Sequence, residues 1–245
     1  MNQDQLFQKA AMYDLLSCYY KYSDPTLHVK YYEKHLKYMH KALQTVRGTS
    51  QQGGLAYVRA LHAAPDAPAV DIFVNGNRVL TNVKFGQISD YLPLPAGSYH
   101  IDIYPTGNQT TTVISKKVKV EPNQVLTLAA IGLGNSLRLL PYADDPFVPN
   151  NETKVRFIHL SPDAPAVDIA VKGGDVIFEN ISYKQATDYL GLTPMTVNLE
   201  VRIAGTKDVV LDVPNVSLSP NESYTIFALG KASGSPELEA KLVKG

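Results

Sequence analysis

PDAPAVDI stands at residues 65–72 and again at residues 162–169, identical over eight positions. The prolines at 65 and 68 force an extended turn at the start of the first copy, where Asp66 can accept from a nearby backbone N–H. The period then becomes two. Val70, Ile72 and Val74 share one face of a strand, Asp71, Phe73 and Asn75 share the other, and Asn75-Gly76 follows as a hairpin turn signal. The octapeptide therefore reads as a turn leading into a half-buried strand, and its recurrence as the register mark of a duplicated β domain.

The duplication extends well beyond these eight residues. Val58 aligns with Val155, His62 with His159 and Asp71 with Asp168 at one constant spacing. Asp90-Tyr91-Leu92 then matches Asp188-Tyr189-Leu190 at a spacing one residue longer, which places a single insertion in the intervening hairpin region. The longer spacing holds through Gly107 and Gly205, Thr127 and Thr225, and Gly132 and Gly230. A repeat of roughly 98 residues is a whole domain, too long for a solenoid. Further strand-like runs at 99–104, 112–120, 125–131 and 137–140, punctuated by turns, suit a β-sandwich or small barrel. The stretch PYADDPFVPNNET between the copies carries three prolines and reads as a semi-rigid connector, assigned to 143–153.

The N-terminal segment has a different character. It holds seven of the fifteen tyrosines, and apolar residues at Leu6, Tyr13, Leu16 and Tyr20, then Tyr32, Leu36, Met39, Leu43 and Val46, recur at helical spacing. Two amphipathic helices are expected. Asp24-Pro25 supplies an N-cap and a first-turn proline for the second helix, and Gly48 a C-terminal stop. The expected layout is a helical hairpin over 1–48, a linker over 49–54, a first sandwich over 55–142, the connector, and a second sandwich over 154–245.

Composition excludes several function classes. Lys+Arg and Asp+Glu are 23 each, so no global field recruits nucleic acid or an anionic membrane. One cysteine, Cys18, precludes an intrachain disulfide framework and multi-cysteine zinc sites; it is expected to be a small buried side chain. The opening MNQDQLFQKA lacks the basic start and apolar core of a Sec signal, and no run approaches the roughly 20 apolar residues of a membrane span.

The pattern Val58-Arg59, His62 and 65–71, followed by Leu94-Pro95-Ala96-Gly97-Ser98-Tyr99, resembles the bacterial and archaeal domain of unknown function 4397 family. The second copy keeps Val155-Arg156, His159 and 162–168 but has Leu192-Thr193-Pro194-Met195 where the first has its glycine. The resemblance covers about four fifths of the chain, from Leu55 on. It implies tandem immunoglobulin-like β-sandwiches of cell-surface or secreted type, and it brings no catalytic residues with it.

Each repeat offers two carboxylates, Asp66 and Asp71, then Asp163 and Asp168, and closely spaced carboxylates are what a hard cation such as calcium takes. Their spacing matches no EF-hand loop. The scaffold reading is therefore adopted for His62, Pro65, Asp66, Pro68, Asp71, His159, Pro162, Asp163, Pro165 and Asp168, with a buried His62–Asp71 latch between strands, and no cofactor is expected. No nucleophile elbow or glycine-rich phosphate loop accompanies these residues, so the chain is not expected to be an enzyme, a hydrolase or metalloenzyme being the third-ranked class. His28, His35 and His40 do not share a helical face and are read as solvated or interfacial. Tyr13, Leu16, Tyr20, Tyr32, Leu36, Met39 and Leu43 form the expected interface, because tyrosine joins large apolar area to a polar tip.

The functional expectation is a structural or assembly protein of a bacterial surface layer, such as a spore coat or exosporium, that oligomerises or meets other surface proteins through its helices. The spore placement joins the family resemblance to the missing signal, with the cytoplasm as the alternative location. The alternative function is a ligand-binding or adhesive module for carbohydrate or protein.

Overall fold

A computed structural model describes residues 3–49 and 54–245. The side chains of His40, Leu43 and Val46 and most of the expected linker lie outside what is described. The chain forms two compact units, Met1–Gly53 and Gly54–Gly245.

In the first unit α1 (Gln3–Tyr20) and α2 (Pro25–Thr49) form a hairpin. Asp24 caps α2 as its position demands, its Oδ1 accepting from the amides of Thr26 and Leu27 at 3.0 Å each. Pro25 follows at the first helical position, and α2 continues through Gly48 to Thr49. The helices meet through aromatic rings: Tyr13 stacks on Tyr31 and Tyr38, and Tyr20 on Tyr31. Leu6, Ala10 and Ser17 of α1 are buried. His28 and His35 staple the pair, each Nδ1–H donating to an α1 carbonyl, Ser17 at 2.9 Å and Ala10 at 3.0 Å.

Two expectations for α1 are corrected here. Its apolar residues do not form a single stripe, because Met12, Leu15 and Tyr19 are exposed on the side turned away from Leu6, Ala10 and Tyr13. Cys18 is exposed rather than buried, since Ser17 takes the inward position and the next residue is rotated about 100° away from it.

The second unit is all β. Its first half contains β1 (Leu55–His62), β2 (Val70–Val74), β3 (Asn77–Val83), β4 (Leu92–Pro95), β5 (Gly97–Pro105), β6 (Ile114–Val120), β7 (Val125–Ile131) and β8 (Arg138–Ala143). The second half repeats them as β9 (Thr153–His159), β10 (Val167–Val171), β11 (Val176–Ile181), β12 (Leu190–Leu192), β13 (Met195–Ile203), β14 (Val209–Leu218), β15 (Glu222–Leu229) and β16 (Glu239–Lys244). Each half is a sandwich of two four-stranded sheets, ordered β4-β1-β7-β8 and β3-β2-β5-β6 in the first, β12-β9-β15-β16 and β11-β10-β13-β14 in the second. Pairing is antiparallel except β1 with β7 and β9 with β15, which run parallel. Among the described residues no sheet closes into a barrel, so of the sandwich and the small barrel that the strand runs suited, the sandwich is the one formed.

Asn75 and Gly76 make the β2–β3 turn with φ of 50° and 80°, the double left-handed conformation that favours Asn-Gly. Gly97 is different. Its φ is not positive and a Cβ there would meet nothing nearer than Tyr99 at 3.9 Å, so Met195 occupies the same place in the second copy without strain.

Three apolar clusters result. One fills the first sandwich and includes Val58, Val70, Ile72, Ile101 and Leu128; its counterpart in the second includes Val155, Val167, Ile169, Leu199 and Ile226. The third joins the halves: Leu61, Ala63, Ala129, Ile131 and Tyr142 pack with Ile158, Leu160, Phe227 and Leu229. Alternation explains this. Along β1, Ala56 and Val58 belong to the internal cluster while Leu61 belongs to the shared one. Since the outer face of β9 is covered as well as its inner one, all seven of its residues are buried.

Candidate functional site

The two motif histidines occupy equivalent positions. Nε2–H of His62 donates to the carbonyl of Pro68, and that of His159 to the carbonyl of Pro165, both at 3.0 Å. A carbonyl only accepts, so Nε2 carries the proton in each ring. Burial holds both imidazoles below the ordinary histidine value, against the raising effect of these bonds. The expected latch between His62 and Asp71 is not formed; the histidine closes its own proline turn, six residues away.

Asp71 serves the next hairpin instead. Its Oδ1 accepts from the Asn82 amide at 2.8 Å and from Thr106 Oγ1 at 3.0 Å. Asp168 does the same in the second copy, accepting from the amides of Asn180 at 2.6 Å and Gly205 at 2.8 Å. Asn82 and Asn180 hold left-handed φ of 54° and 50°, so each aspartate fixes an irregular strand end where no ladder partner is available. Asp66 and Asp163 tie the β7–β8 and β15–β16 turns: Asp66 Oδ2 accepts from the Gly134 amide at 2.7 Å, and Asp163 from those of Ala232 at 2.8 Å and Ser233 at 3.1 Å. Desolvation raises the Asp163 pKa, but these amides outweigh it and hold the carboxyl below its ordinary value. Among the described residues no three His, Cys, Asp or Glu side chains group as they would around a metal ion.

The feature that sequence reasoning missed is a buried charge cluster between the sandwiches. Asp144, immediately after β8, has a fully buried side chain. It pairs with Arg59 Nη2 at 3.7 Å and accepts from Arg156 Nη2, and its Oδ2 also accepts from Thr127 Oγ1 at 2.6 Å and Tyr91 O–H at 2.7 Å. Both guanidiniums lie against tyrosine rings, Arg59 on Tyr91 at 4.4 Å and Arg156 on Tyr189 at 4.7 Å from the centroids. Each also crosses to the other sandwich: Arg59 Nη1–H donates to the carbonyl of Lys244 at 2.6 Å, and Arg156 Nη1–H to that of Ala143 at 2.5 Å. Burial, with the Asp144 carboxylate second, pushes the Tyr91 phenol up. The signal was present in the repeated Val-Arg and Asp-Tyr-Leu motifs. Nothing local singled out Asp144 from Asp145 beside it.

On the open face of β5 and β6, His100, Asp102 and Ser115 come together. Ser115 Oγ–H donates to Asp102 at 2.7 Å, and one imidazole nitrogen faces both the hydroxyl at 2.9 Å and the carboxylate at 3.2 Å. A nucleophile relay needs the base to accept the hydroxyl proton and a third group on its other nitrogen. This arrangement has neither.

The interface residues expected in the hairpin divide. Tyr13 and Tyr20 are half-buried in the inter-helix stack, Leu16 and Met39 are half-buried, and Tyr32 and Leu36 are exposed. No described helix is long and apolar enough to cross a membrane.

No curated protein matches the chain. Among solved structures it is similar to the C-terminal domain of AlgF from P. aeruginosa (21% identity over 39% of this chain and 99% of that one, TM-score 0.30). It is also similar to the family 26 carbohydrate-binding module of Eubacterium rectale Amy13K in complex with maltoheptaose (10%, 78% and 97%, TM-score 0.25). A third is a candidate cell adhesion protein from Bacteroides fragilis (13%, 77% and 97%, TM-score 0.20). The model of a domain of unknown function, DUF4397, matches residues 56–170, from β1 into β10 and across both copies of the duplicated motif, and again residues 167–243, from β10 into β16. The chain belongs to the DUF4397 family, as a tandem pair.

Proposed function

We propose that the protein is a non-enzymatic assembly module of a bacterial surface layer, a stiff pair of sandwiches that presents a helical hairpin for docking. The observation that carries the non-enzymatic part is the engagement of every motif carboxylate and both motif histidines with backbone groups. A catalytic or cation-binding set would keep donor atoms turned toward a ligand.

The docking part rests on α1. Its second apolar stripe leaves Leu15 at 72% and Tyr19 at 75% exposure, and on α2 Tyr32 and Leu36 stand at 47% and 49%. A helix apolar on both sides is expected to be covered on both. Because Tyr13 and Tyr20 already hold the hairpin together, the docking residues are Leu15, Tyr19, Tyr32 and Leu36. Light scattering of the full chain and of a Leu15→Glu/Tyr19→Glu variant tests this. The variant should lose an assembled species, and equal masses sink the docking role.

The adhesive alternative predicts saturable signals on carbohydrate arrays, where an assembly module is silent. A spore-coat or exosporium location belongs to the same proposal and is checked by immunolabelling of spores against growing cells.

A further inference from the structure

The two sandwiches differ in their interiors. Between its sheets the first encloses a cavity of ≈ 290 Å³, while the space at the corresponding place in the second is ≈ 20 Å³. Two substitutions between the repeats account for the difference. Ala60 and Leu80 line the first cavity where Phe157 and Phe178 fill the second. Tyr99 in place of Val197 runs the other way, but its hydroxyl is held by the Pro95 carbonyl at the strand edge, 2.6 Å away.

The cavity is reachable. Phe157 is fully buried, whereas Ala60, at the same position on an equally central strand, keeps partial exposure. The opening lies at the two edge strands β3 and β4, where Val79 is 41% exposed and Leu80, Leu92 and Leu94 are half-buried.

The lining also defines the chemistry of an occupant. It is mostly aliphatic, with Arg59, His62, Asn75, Asn77 and Tyr99 the exceptions, so a bound molecule must be largely apolar. The Arg59 guanidinium is committed to Thr127, Lys244 and Asp144, and the His62 ring is kept neutral by burial, so nothing there compensates a charge. Two polar atoms of the lining residues are buried without a hydrogen-bond partner: Arg59 Nη2, a donor that faces the Asp144 carboxylate at 3.7 Å, and Nδ1 of His62, whereas Nδ1 of His159 accepts from the Ser161 amide at 3.3 Å. With the proton on Nε2, Nδ1 accepts only, and a hydroxyl is the group that suits it. A cavity of about 150 Å³ takes one benzene, so this one suits about ten to twelve non-hydrogen atoms.

We propose that the first sandwich binds one uncharged, largely apolar molecule of that size bearing a hydroxyl, in the class of a ten-carbon alcohol or a bicyclic phenol. This inference is independent of the assembly reading, which concerns the hairpin.

The test titrates the full chain with 1-naphthol, followed by its fluorescence, and with decan-1-ol by calorimetry, using decanoate as the charged counterpart. Saturable binding of one equivalent with a Kd below about 1 mM is expected, with decanoate at least about tenfold weaker. Ala60→Phe/Leu80→Phe, which installs the second copy's residues, should abolish binding while its melting temperature holds or rises. Leu80→Phe alone, at the half-buried mouth, serves if the double variant does not fold, and should weaken binding at least about tenfold. Failure of the neutral probes to saturate at about 1 mM overturns the proposal, as does equal binding by decanoate or unchanged binding in a folded filled variant.

Discussion

Asp144→Asn isolates what holds the two sandwiches together. The substitution keeps the shape of the side chain and removes its charge, leaving the guanidiniums of Arg59 and Arg156 buried at 4% and 5% exposure without a counter-ion. Two unit charges about 4 Å apart attract by about 4 kcal/mol at an effective dielectric constant of 20, and desolvation offsets much of that in the intact cluster. Removing one partner forfeits the attraction while the desolvation cost of the others stays, which for buried pairs amounts to about 3–5 kcal/mol. Asparagine also places an N–H₂ where Thr127 and Tyr91 both donate. Urea unfolding should therefore show a midpoint shift equivalent to about 3–5 kcal/mol with little change in m. The neighbour supplies the control. Asp145 pairs with Lys154 at 2.5 Å but is 59% exposed, so Asp145→Asn should cost at most about 1 kcal/mol. A loss below about 1 kcal/mol for Asp144→Asn would refute the reasoning, because it would mean that water reaches the arginines.

Three further outcomes follow from the same geometry. Gly132→Ala and Gly230→Ala should each destabilise by more than about 2 kcal/mol in urea melts, since a Cβ would stand 2.4 Å and 2.0 Å from the carbonyl oxygens of Ser136 and Glu237; Gly107→Ala, with open space around it, should cost about 1 kcal/mol. Because burial lowers the folded pKa of His62 and His159, the unfolded chain binds more protons just below the ordinary histidine value of 6.5. Stability should be full above that pH and fall as pH drops below it, and a flat melting temperature between about pH 7 and 5 refutes this. Asp71→Ala and Asp168→Ala should each cost about 1–3 kcal/mol by stranding backbone amides, and added calcium should leave the wild-type melting temperature unchanged.

The parts of the fold that were legible in the sequence are those whose causes are local. The duplicated octapeptide placed β2 and β10, Asn75-Gly76 placed a turn, and Asp24-Pro25 placed the start of α2, each through chemistry within a few residues. The packing of one sandwich on the other depends on residues far apart in the chain. Its trace was there in the continuous apolar runs Phe157-Ile158 and Phe227-Ala228-Leu229, which break the alternation expected of a strand with one wet face. The histidine latch was misassigned for a related reason: an identical spacing in both copies marks His62 and Asp71 as structural but does not say what each one bonds, which is the Pro68 carbonyl for one and the Asn82 amide for the other. Asp144 could be recognised only once β1, β7, β9 and β15 had been brought together.

The duplication is not symmetric at this cluster, and that bears on how the halves behave apart. The Asp144 amide donates to the Val125 carbonyl at 2.8 Å, and the Gly245 amide to the Ser223 carbonyl at 2.7 Å, so Gly245 occupies the position equivalent to Asp144. One carboxylate therefore serves two arginines. A fragment of residues 54–145 keeps Arg59 with Asp144, Thr127 and Tyr91, and exposes an apolar face around Leu61, Ile131 and Tyr142. It should fold and associate through that face. A fragment of residues 153–245 keeps Arg156 with Thr225 but loses Asp144, the carboxylate that meets this guanidinium, and exposes Ile158, Phe227 and Leu229. It should be largely unfolded by circular dichroism when alone and gain sheet structure on mixing with the first. Independent, monomeric folding of the second fragment would show that the sandwiches are separable domains and that the arginine–aspartate cluster is incidental to their union.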